Sequence, residues 1–118
     1  MGTFKVTIQV GDPQGTRYEP VEALVDTGAS HTLVPAVLLE QLGVLREEQW
    51  PFELADGRIV DRDVGHTFVR VDGRRVFTPV VFGESGEGPL LGATTLEEAR
   101  LGVDPIRRNL IRVPGLLK

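Results

Sequence analysis

Short β-branched segments, each ended by turn residues, are the feature that most restricts the fold of this chain. Apolar residues at 4 to 10 alternate with Lys, Thr and Gln, which is the period of a strand with one buried face. Val21–Val25 resumes this character, and residues 58 to 82 predict two or three long strands. Asp-Gly pairs at 56–57 and 72–73 punctuate these strands, and this dipeptide favours a tight hairpin turn.

Two short helices are predicted among the strands. Pro35 suits the first turn of a helix and Gly43 suits its C-terminal end. The Thr-x-x-Glu pattern at 94–97 is that of a capping box, so we expect a second helix over residues 95 to 101. A last strand is predicted at 110–113. The sum is a mostly β domain with two short helices, for which a closed or sandwich-like β-barrel is the economical architecture.

The composition excludes several classes of function. The 118 residues suit one domain spanning 1–118, and the absence of cysteine excludes disulfides, thiolate zinc sites and a cysteine nucleophile. The net charge of -4 argues against nucleic acid as a partner. No apolar run is long enough to cross a bilayer, so no membrane partner is expected. Because residues 1–5 do not resemble an export signal, we expect a cytoplasmic location.

Asp26 is the candidate for chemistry, within the run Ala-Leu-Val-Asp-Thr-Gly-Ala-Ser. The two apolar residues before it would hold its carboxylate rigidly at the end of a buried strand. Thr27 can form a hydrogen bond across a tight loop, and Gly28 lets a backbone N–H approach the carboxylate. The same three residues also suit an Asx-type turn at a strand end without any catalytic role. Taken alone, the tripeptide leaves both interpretations open.

Three segments, in their order along the chain, resemble the retropepsin-like (retroviral-type, clan AA) family of single-domain aspartic peptidases. Ala23–Pro35 resembles the active-site loop of that family, and Leu54–Ile59 resembles the tip of the flap hairpin that closes over substrate. Pro89–Ala93 resembles the strand that crosses behind the active-site loop. The helix after the loop and the Ala-Asp-Gly tip are more similar to predicted bacterial members than to viral ones. The resemblance implies a closed acid-protease β-barrel with two short helices and one flap hairpin per chain.

The resemblance also implies a reaction, the hydrolysis of peptide bonds by a water activated between two aspartates that share one proton. This chain has one Asp-Thr-Gly, so the site would combine Asp26 of two identical chains in a homodimer, with neither metal nor cofactor. Thr27 would lock the two loops together, and Gly28 would present its N–H to the carboxylate. An extended peptide or protein is the implied substrate. The residues implied to contact it are Ala29, Ser30, Ala55, Asp56 and Gly57.

A non-proteolytic dimeric module that uses the same fold for peptide binding or assembly is the alternative. The charged, single-glycine tip at 56–57 favours it, whereas an intact Asp-Thr-Gly argues against it, since a scaffold has little reason to bring two like charges together. His31 and His66 match neither a nucleophilic triad nor a zinc spacing. Residues 83–88 are glycine-rich but acidic, and they lack the lysine of a phosphate loop.

Overall fold

Strands and turns follow one another along the chain largely in the predicted order. The computed structural model describes residues 4–117. In that part of the chain the elements are β1 (Phe4–Gly11), β2 (Tyr18–Val25), β3 (Thr32–Pro35), α1 (Ala36–Gln41), β4 (Glu48–Glu53), β5 (Ile59–Val71), β6 (Arg74–Gly83), β7 (Leu90–Leu91), α2 (Ala93–Glu98), β8 (Leu101–Asp104) and β9 (Asn109–Arg112).

Seven strands form one sheet in the order β1-β2-β7-β3-β6-β5-β4, and β8 pairs with β9 in a separate ladder. The β1–β2 and β5–β6 pairs are antiparallel hairpins, whereas β2–β7 and β3–β6 are parallel. β1 also meets β5 at Gln9↔Arg70 and Val10↔Val69, which brings the two sides of the sheet together. The predicted mostly β fold with two short helices is confirmed. Because the β1–β5 contact covers two residue pairs, a fully closed barrel stays a prediction.

The alternation of apolar residues in the strands produces the hydrophobic core. Ile8 of β1 and Val69 of β5 are fully buried, and so is Leu91 of β7. The helices contribute Leu39 and Leu96 to the same cluster. Each such side chain stabilises the fold by about 1.5–3 kcal/mol relative to an exposed position. The core therefore holds together strands that are distant in sequence, including the short β7.

Helix α1 is confirmed, but the second helix differs from its predicted bounds at both ends. It was expected over residues 95 to 101, and it occupies Ala93–Glu98 with Gly92 as N-cap and no side-chain capping hydrogen bond. Leu101–Asp104 forms β8 instead. No helix within residues 4–117 has the length and apolar character needed to span a membrane.

The early start of α2 has a physical cause in the Asp26 loop. The Ala93 amide donates to the Ala29 carbonyl at 2.9 Å, and the Thr94 amide donates to the Ser30 carbonyl at 3.0 Å. Backbone N–H groups of the first helical turn need partners outside the helix. Since loop carbonyls supply them here, the capping box predicted from Thr94 does not form.

Three buried threonines join α2 to the sheet. Thr32, Thr78 and Thr95 belong to β3, β6 and α2, and none has exposed surface. The Thr95 hydroxyl lies 2.6 Å from that of Thr32 and 3.1 Å from that of Thr78. The Gly92 amide donates to the Thr32 hydroxyl at 3.1 Å. Every hydroxyl in this group has a partner, which avoids the cost of burying an unpaired polar group.

The β4–β5 ladder forms the hairpin expected from the Asp-Gly pair at 56–57. Glu48–Glu53 pairs antiparallel with the first part of β5. The turn between them is closed by a hydrogen bond from the Gly57 amide to the Leu54 carbonyl at 2.9 Å. Gly57 has φ +89°, a conformation that favours glycine. The presence of one hairpin of the flap type is therefore confirmed, while its role toward substrate stays a prediction.

Thr95→Val is expected to lower the free energy of unfolding by about 1–3 kcal/mol, because it leaves the hydroxyls of Thr32 and Thr78 without their shared partner. Urea unfolding measures the change. Thr94→Val, one residue away in the same helix and only partly buried, is the matched control and should change the value by less than about 1 kcal/mol. Equal losses in the two variants would show that the hydroxyl network adds no stability.

Candidate active site

Asp26 follows the last residue of β2, a strand flanked by β1 and β7. Ala23 and Val25 point into the core, with exposures of 0% and 4%, whereas Asp26 is partly exposed. Its amide donates to the Leu91 carbonyl at 3.1 Å. The carboxylate therefore extends from the end of a strand that is fixed on both sides, as the two apolar residues before it predict.

The turn after Asp26 directs backbone groups at its carboxylate. The Gly28 amide donates to Asp26 Oδ1 at 2.9 Å, and the Ala29 amide donates to the Asp26 carbonyl at 3.1 Å. Thr27 and Gly28 are exposed. The predicted contact of the Gly28 amide with the carboxylate is confirmed. The loop thus holds one carboxylate oxygen in place while its outer surface stays open to a partner or a ligand.

The segment Pro89–Ala93 crosses behind this loop, as the resemblance implies. Its strand β7 pairs in parallel with the end of β2 and antiparallel with β3 at Leu33↔Leu90. The Leu24 amide donates to the Pro89 carbonyl at 3.0 Å. Together with the bonds of Asp26 to Leu91 and of Ala29 to Ala93, this pairing supports the loop from both of its ends.

Gly92 marks the closest approach of the two segments. An ideal Cβ at this position would lie 2.4 Å from the carbonyl carbon and oxygen of His31 and 2.8 Å from its backbone nitrogen. No side chain larger than hydrogen fits at that distance without moving one of the two backbones. Glycine is therefore required here by contact with the backbone at His31, next to the Asp26 loop.

A cleft of about 320 Å³ lies between the Asp26 loop and the β4–β5 hairpin. Ala29 and Ser30, both predicted to contact substrate, line it. The predicted tip residues Ala55 to Gly57 do not line it, and the hairpin contributes the neighbouring residues 52–54 together with Arg62 instead. The other lining residues are Gly28, His31, Leu33, Phe52, Glu53, Leu54, Arg62, Val81, Glu87 and Leu90.

The tip of the hairpin makes its contacts within itself. The Arg58 amide donates to Asp56 Oδ1 at 3.0 Å, and the Arg58 guanidinium lies 2.8 Å from Asp56 Oδ2. The Arg58 amide, followed by its side chain, lowers the pKa of Asp56. Ala55, Asp56 and Gly57 are all exposed. Their contact with substrate stays a prediction, because the single chain places them away from the cleft.

Two residues of the cleft were not predicted as site residues. The His31 ring lies against the aromatic rings of Trp50 and Phe52, and burial lowers the pKa of His31. Arg62 of β5 has a side chain only 11% exposed and forms ion pairs with Glu84 and Glu87. Neither role has a local sequence signal, because each depends on a partner far along the chain.

Within residues 4–117, no group of three or more His, Asp or Glu side chains is arranged to hold a metal ion. His66 instead lies 2.8 Å from a Glu47 carboxylate oxygen and stacks on Phe77. These contacts account for His66 without any role in the cleft.

Gly92→Ala is expected to lower the free energy of unfolding by about 2–3 kcal/mol, because its methyl group collides with the His31 backbone. Chemical denaturation measures this loss. Gly88→Ala is the matched control, because no atom lies within 4 Å of an ideal Cβ there, and it should be neutral or slightly stabilising. A Gly92→Ala protein as stable as Gly88→Ala would contradict the close approach.

Comparisons with known proteins agree with this arrangement. A family model described as "gag-polyprotein putative aspartyl protease" matches residues 16–98, which contain the Asp26 loop, the hairpin and β7. No curated protein gives a significant match. Among solved structures, the solution structure of simian foamy virus (mac) protease is similar in fold, with a TM-score of 0.56 and 22% identity over 79% of this chain and 91% of that chain. The chain therefore belongs to this family of retroviral-type aspartyl proteases.

Proposed function

We propose that the chain is one protomer of a homodimeric aspartic endopeptidase, in which Asp26 of two identical copies activates the attacking water. The observation that carries this proposal is the open, rigidly supported Asp26 loop, whose single carboxylate receives the Gly28 amide. The sequence contains no second Asp-Thr-Gly or Asp-Ser-Gly that could complete the site within one chain. A two-fold axis beside the loop would bring the missing carboxylate from a second copy.

The pair would work with one shared proton. The ionised Asp26 takes a proton from the water as it attacks the scissile carbonyl carbon, while the protonated Asp26 donates a hydrogen bond to the carbonyl oxygen. The resulting tetrahedral intermediate breaks down when the Asp26 that took the proton from water passes it to the amide nitrogen and the C–N bond breaks, which releases the amine and returns the pair to one proton. Gly28 holds the carboxylate in position, and the exposed Thr27 is available to bond with the loop of the other copy.

An extended peptide is the substrate that the cleft favours. Apolar side chains such as Leu33, Val81 and Leu90 form much of its lining, which suits an apolar side chain next to the cleaved bond. The backbone of the peptide would pair with the loop at Ala29 and Ser30. We expect the hairpin tip at residues 55–57 to cover the peptide and exclude water from the reaction.

Exposed apolar residues near residue 117 form a surface that would suit contact with a second copy. Ile111 of β9 and Val113 are 43% and 37% exposed, and Leu116 and Leu117 are 77% and 102% exposed. Within residues 4–117, β9 pairs on one side only, with β8. This combination of an unpaired strand edge and exposed apolar side chains is suited to pairing with another chain.

Asp26→Asn should abolish peptide hydrolysis, and mixing it with the wild-type chain tests the shared site. If both copies must supply an aspartate, an equimolar mixture at fixed total concentration retains about one quarter of the wild-type rate, because heterodimers are inactive. A site completed by one chain would retain about one half. Cleavage of a peptide library measures the rate, and sedimentation at the same protein concentration measures the fraction of dimer.

Asp12→Asn, in the β1–β2 turn at the opposite end of β2 from Asp26, is the control and should not reduce the rate when mixed with wild type. A strict monomer that still cleaves would contradict the shared site. Tight peptide binding in calorimetry without any cleavage would favour the alternative of a non-proteolytic peptide-binding dimer.

The pH dependence of kcat is expected to be bell-shaped and centred on the acidic side. Only the singly protonated aspartate pair supplies both the base and the acid, so the rate falls when the pair gains a second proton or loses its only one. Values of kcat measured from about pH 2 to about pH 8, on both sides of the ordinary aspartate value of about 3.9, give the profile. A rate that keeps rising into alkaline pH would contradict an aspartate pair.

A further inference from the structure

The β4–β5 hairpin has a tip at residues 54–59 and a ladder of paired residues beneath it, its base, which is attached to the rest of the chain. Trp50 and Phe52 lie on the same face of β4, and the ring of His31 contacts both. The ring centroids are 5.5 Å from Trp50 and 5.7 Å from Phe52, with interplanar angles of 67° and 78°. These edge-to-face contacts are a favourable geometry for aromatic pairs. They join the hairpin directly to the loop that carries Asp26.

A second attachment lies beside the first. Arg62 of β5 is the ladder partner of Trp50, so the two side chains share one face of the hairpin. The Arg62 guanidinium lies 2.8 Å from a carboxylate oxygen of Glu87 and 3.2 Å from one of Glu84. Those glutamates belong to the segment that leads into β7. The base of the hairpin is thus joined to both segments that support Asp26.

Beyond these contacts the hairpin is free on its outer part. Glu53 and the tip residues 55–59 are exposed, and Ile59 is 63% exposed. The ion pair between Asp56 and Arg58 is internal to the tip. The described chain therefore has an attached base at Trp50, Phe52 and Arg62 and a tip held only by its own turn.

We propose that His31 is a positioning residue, which fixes the base of the hairpin on the active-site loop so that only the tip moves when a peptide binds. The part of this inference that concerns catalysis rests on the proposed peptidase function, while the attachment itself does not. His31 lines the cleft as well, but its ring packs on the hairpin and supplies no group that the proposed reaction uses. Its effect on the reaction is through the placement of Phe52 and Leu54 beside the cleft.

The attachment depends on pH in a defined direction. Burial lowers the pKa of His31, so the packed arrangement favours the neutral ring. The contact is therefore fully present at neutral pH and weakens as the pH falls below the ordinary histidine value of about 6.5. Ser30 Oγ lies 2.7 Å from His31 Nδ1. The charged groups around the ring are Glu48, which accepts the Trp50 indole N–H, and Glu53, Arg62 and Glu87, which line the same cleft.

Trp50 provides a direct test, because it is the one tryptophan of the chain and His31 is one of two histidines. A protonated imidazole in contact with an indole quenches its fluorescence. The emission of the wild-type protein should fall through a single transition with a midpoint below about 6.5. His31→Phe should remove the transition, and His66→Gln, whose ring contacts Phe77 instead, should keep it. A flat wild-type titration, or a transition that survives in His31→Phe, overturns the proposal.

Kinetics and amide exchange separate positioning from a merely structural role. His31→Ala should raise KM about tenfold and leave kcat within about twofold, because it removes two aromatic contacts and no reacting group. His31→Phe keeps a ring in place and should restore the wild-type KM at neutral pH. As the pH falls below the ordinary histidine value of about 6.5, the wild-type KM should rise while that of His31→Phe stays constant. An unchanged KM in His31→Ala overturns the proposal.

Hydrogen exchange tests whether His31 attaches the hairpin to the Asp26 loop, even if the wild-type protein cleaves no peptide. The β4 amides of Glu48–Glu53 should exchange faster in His31→Ala and at the wild-type rate in His31→Phe. If His31→Ala does not fold, the wild-type fluorescence titration and His31→Phe still decide. Equal exchange rates of the β4 amides in all three proteins overturn the proposal. If only the peptidase function is wrong, the wild-type protein cleaves no peptide, but the β4 amides of His31→Ala still exchange faster than those of the other two proteins.

Discussion

The backbone contact between the Asp26 loop and the segment Leu91–Ala93 is the interaction on which the rest of the site depends. The Asp26 amide bonds to the Leu91 carbonyl, and the Ala93 amide bonds to the Ala29 carbonyl. Between these two bonds, Gly92 lies so close to His31 that no other residue fits. Because β2 and β7 are parallel, the chain between them has to cross over, and this crossover contains β3 to β6. The geometry of Asp26 is therefore a product of the whole fold and not of a local turn.

The same contact determines how α2 begins and how the polar groups behind the loop are satisfied. Loop carbonyls accept the first amides of α2, and the Thr32 hydroxyl accepts the Gly92 amide. Thr95 then connects that hydroxyl to the one of Thr78 in β6. A displacement of any of these groups would leave a buried polar atom without a partner, which costs about 1–3 kcal/mol. The Asp26 loop is consequently stiff, whereas the hairpin tip is held by few contacts.

Some features of the fold are decided by neighbours in sequence, and others by residues far along the chain. Alternating residues in β1, the Asp-Gly turns and the Pro35–Gly43 helix could be predicted, because neighbours in sequence decide them. Asp26 was identified by its apolar lead and by a resemblance that includes Pro89–Ala93. The early start of α2 could not be predicted, because the carbonyls that replace its cap come from the distant Asp26 loop.

The hairpin also has a part that sequence neighbours decide and a part that depends on distant residues. Its turn at 56–57 was predicted, but β4 was not assigned as a strand. Pro51 stands within β4, and proline is tolerated there because β4 is at the edge of the sheet. The contacts of His31 with Trp50 and Phe52 bring together side chains from two elements without any shared motif. Sequence alone therefore predicts where the hairpin turns, and the fold is needed to find where it is attached.

The single carboxylate and the stiff loop together constrain how two copies would assemble. Two unit charges 4 Å apart repel by about 4 kcal/mol near a protein surface, and a shared proton removes most of that cost. Each Asp26 loop is already supported by its own β7, so an interface has only to bring two formed halves into contact. The exposed residues Ile111, Leu116 and Leu117 lie in a different part of the chain from that loop. An interface built there would add apolar burial to the contact between the two loops without disturbing the groups that hold Asp26.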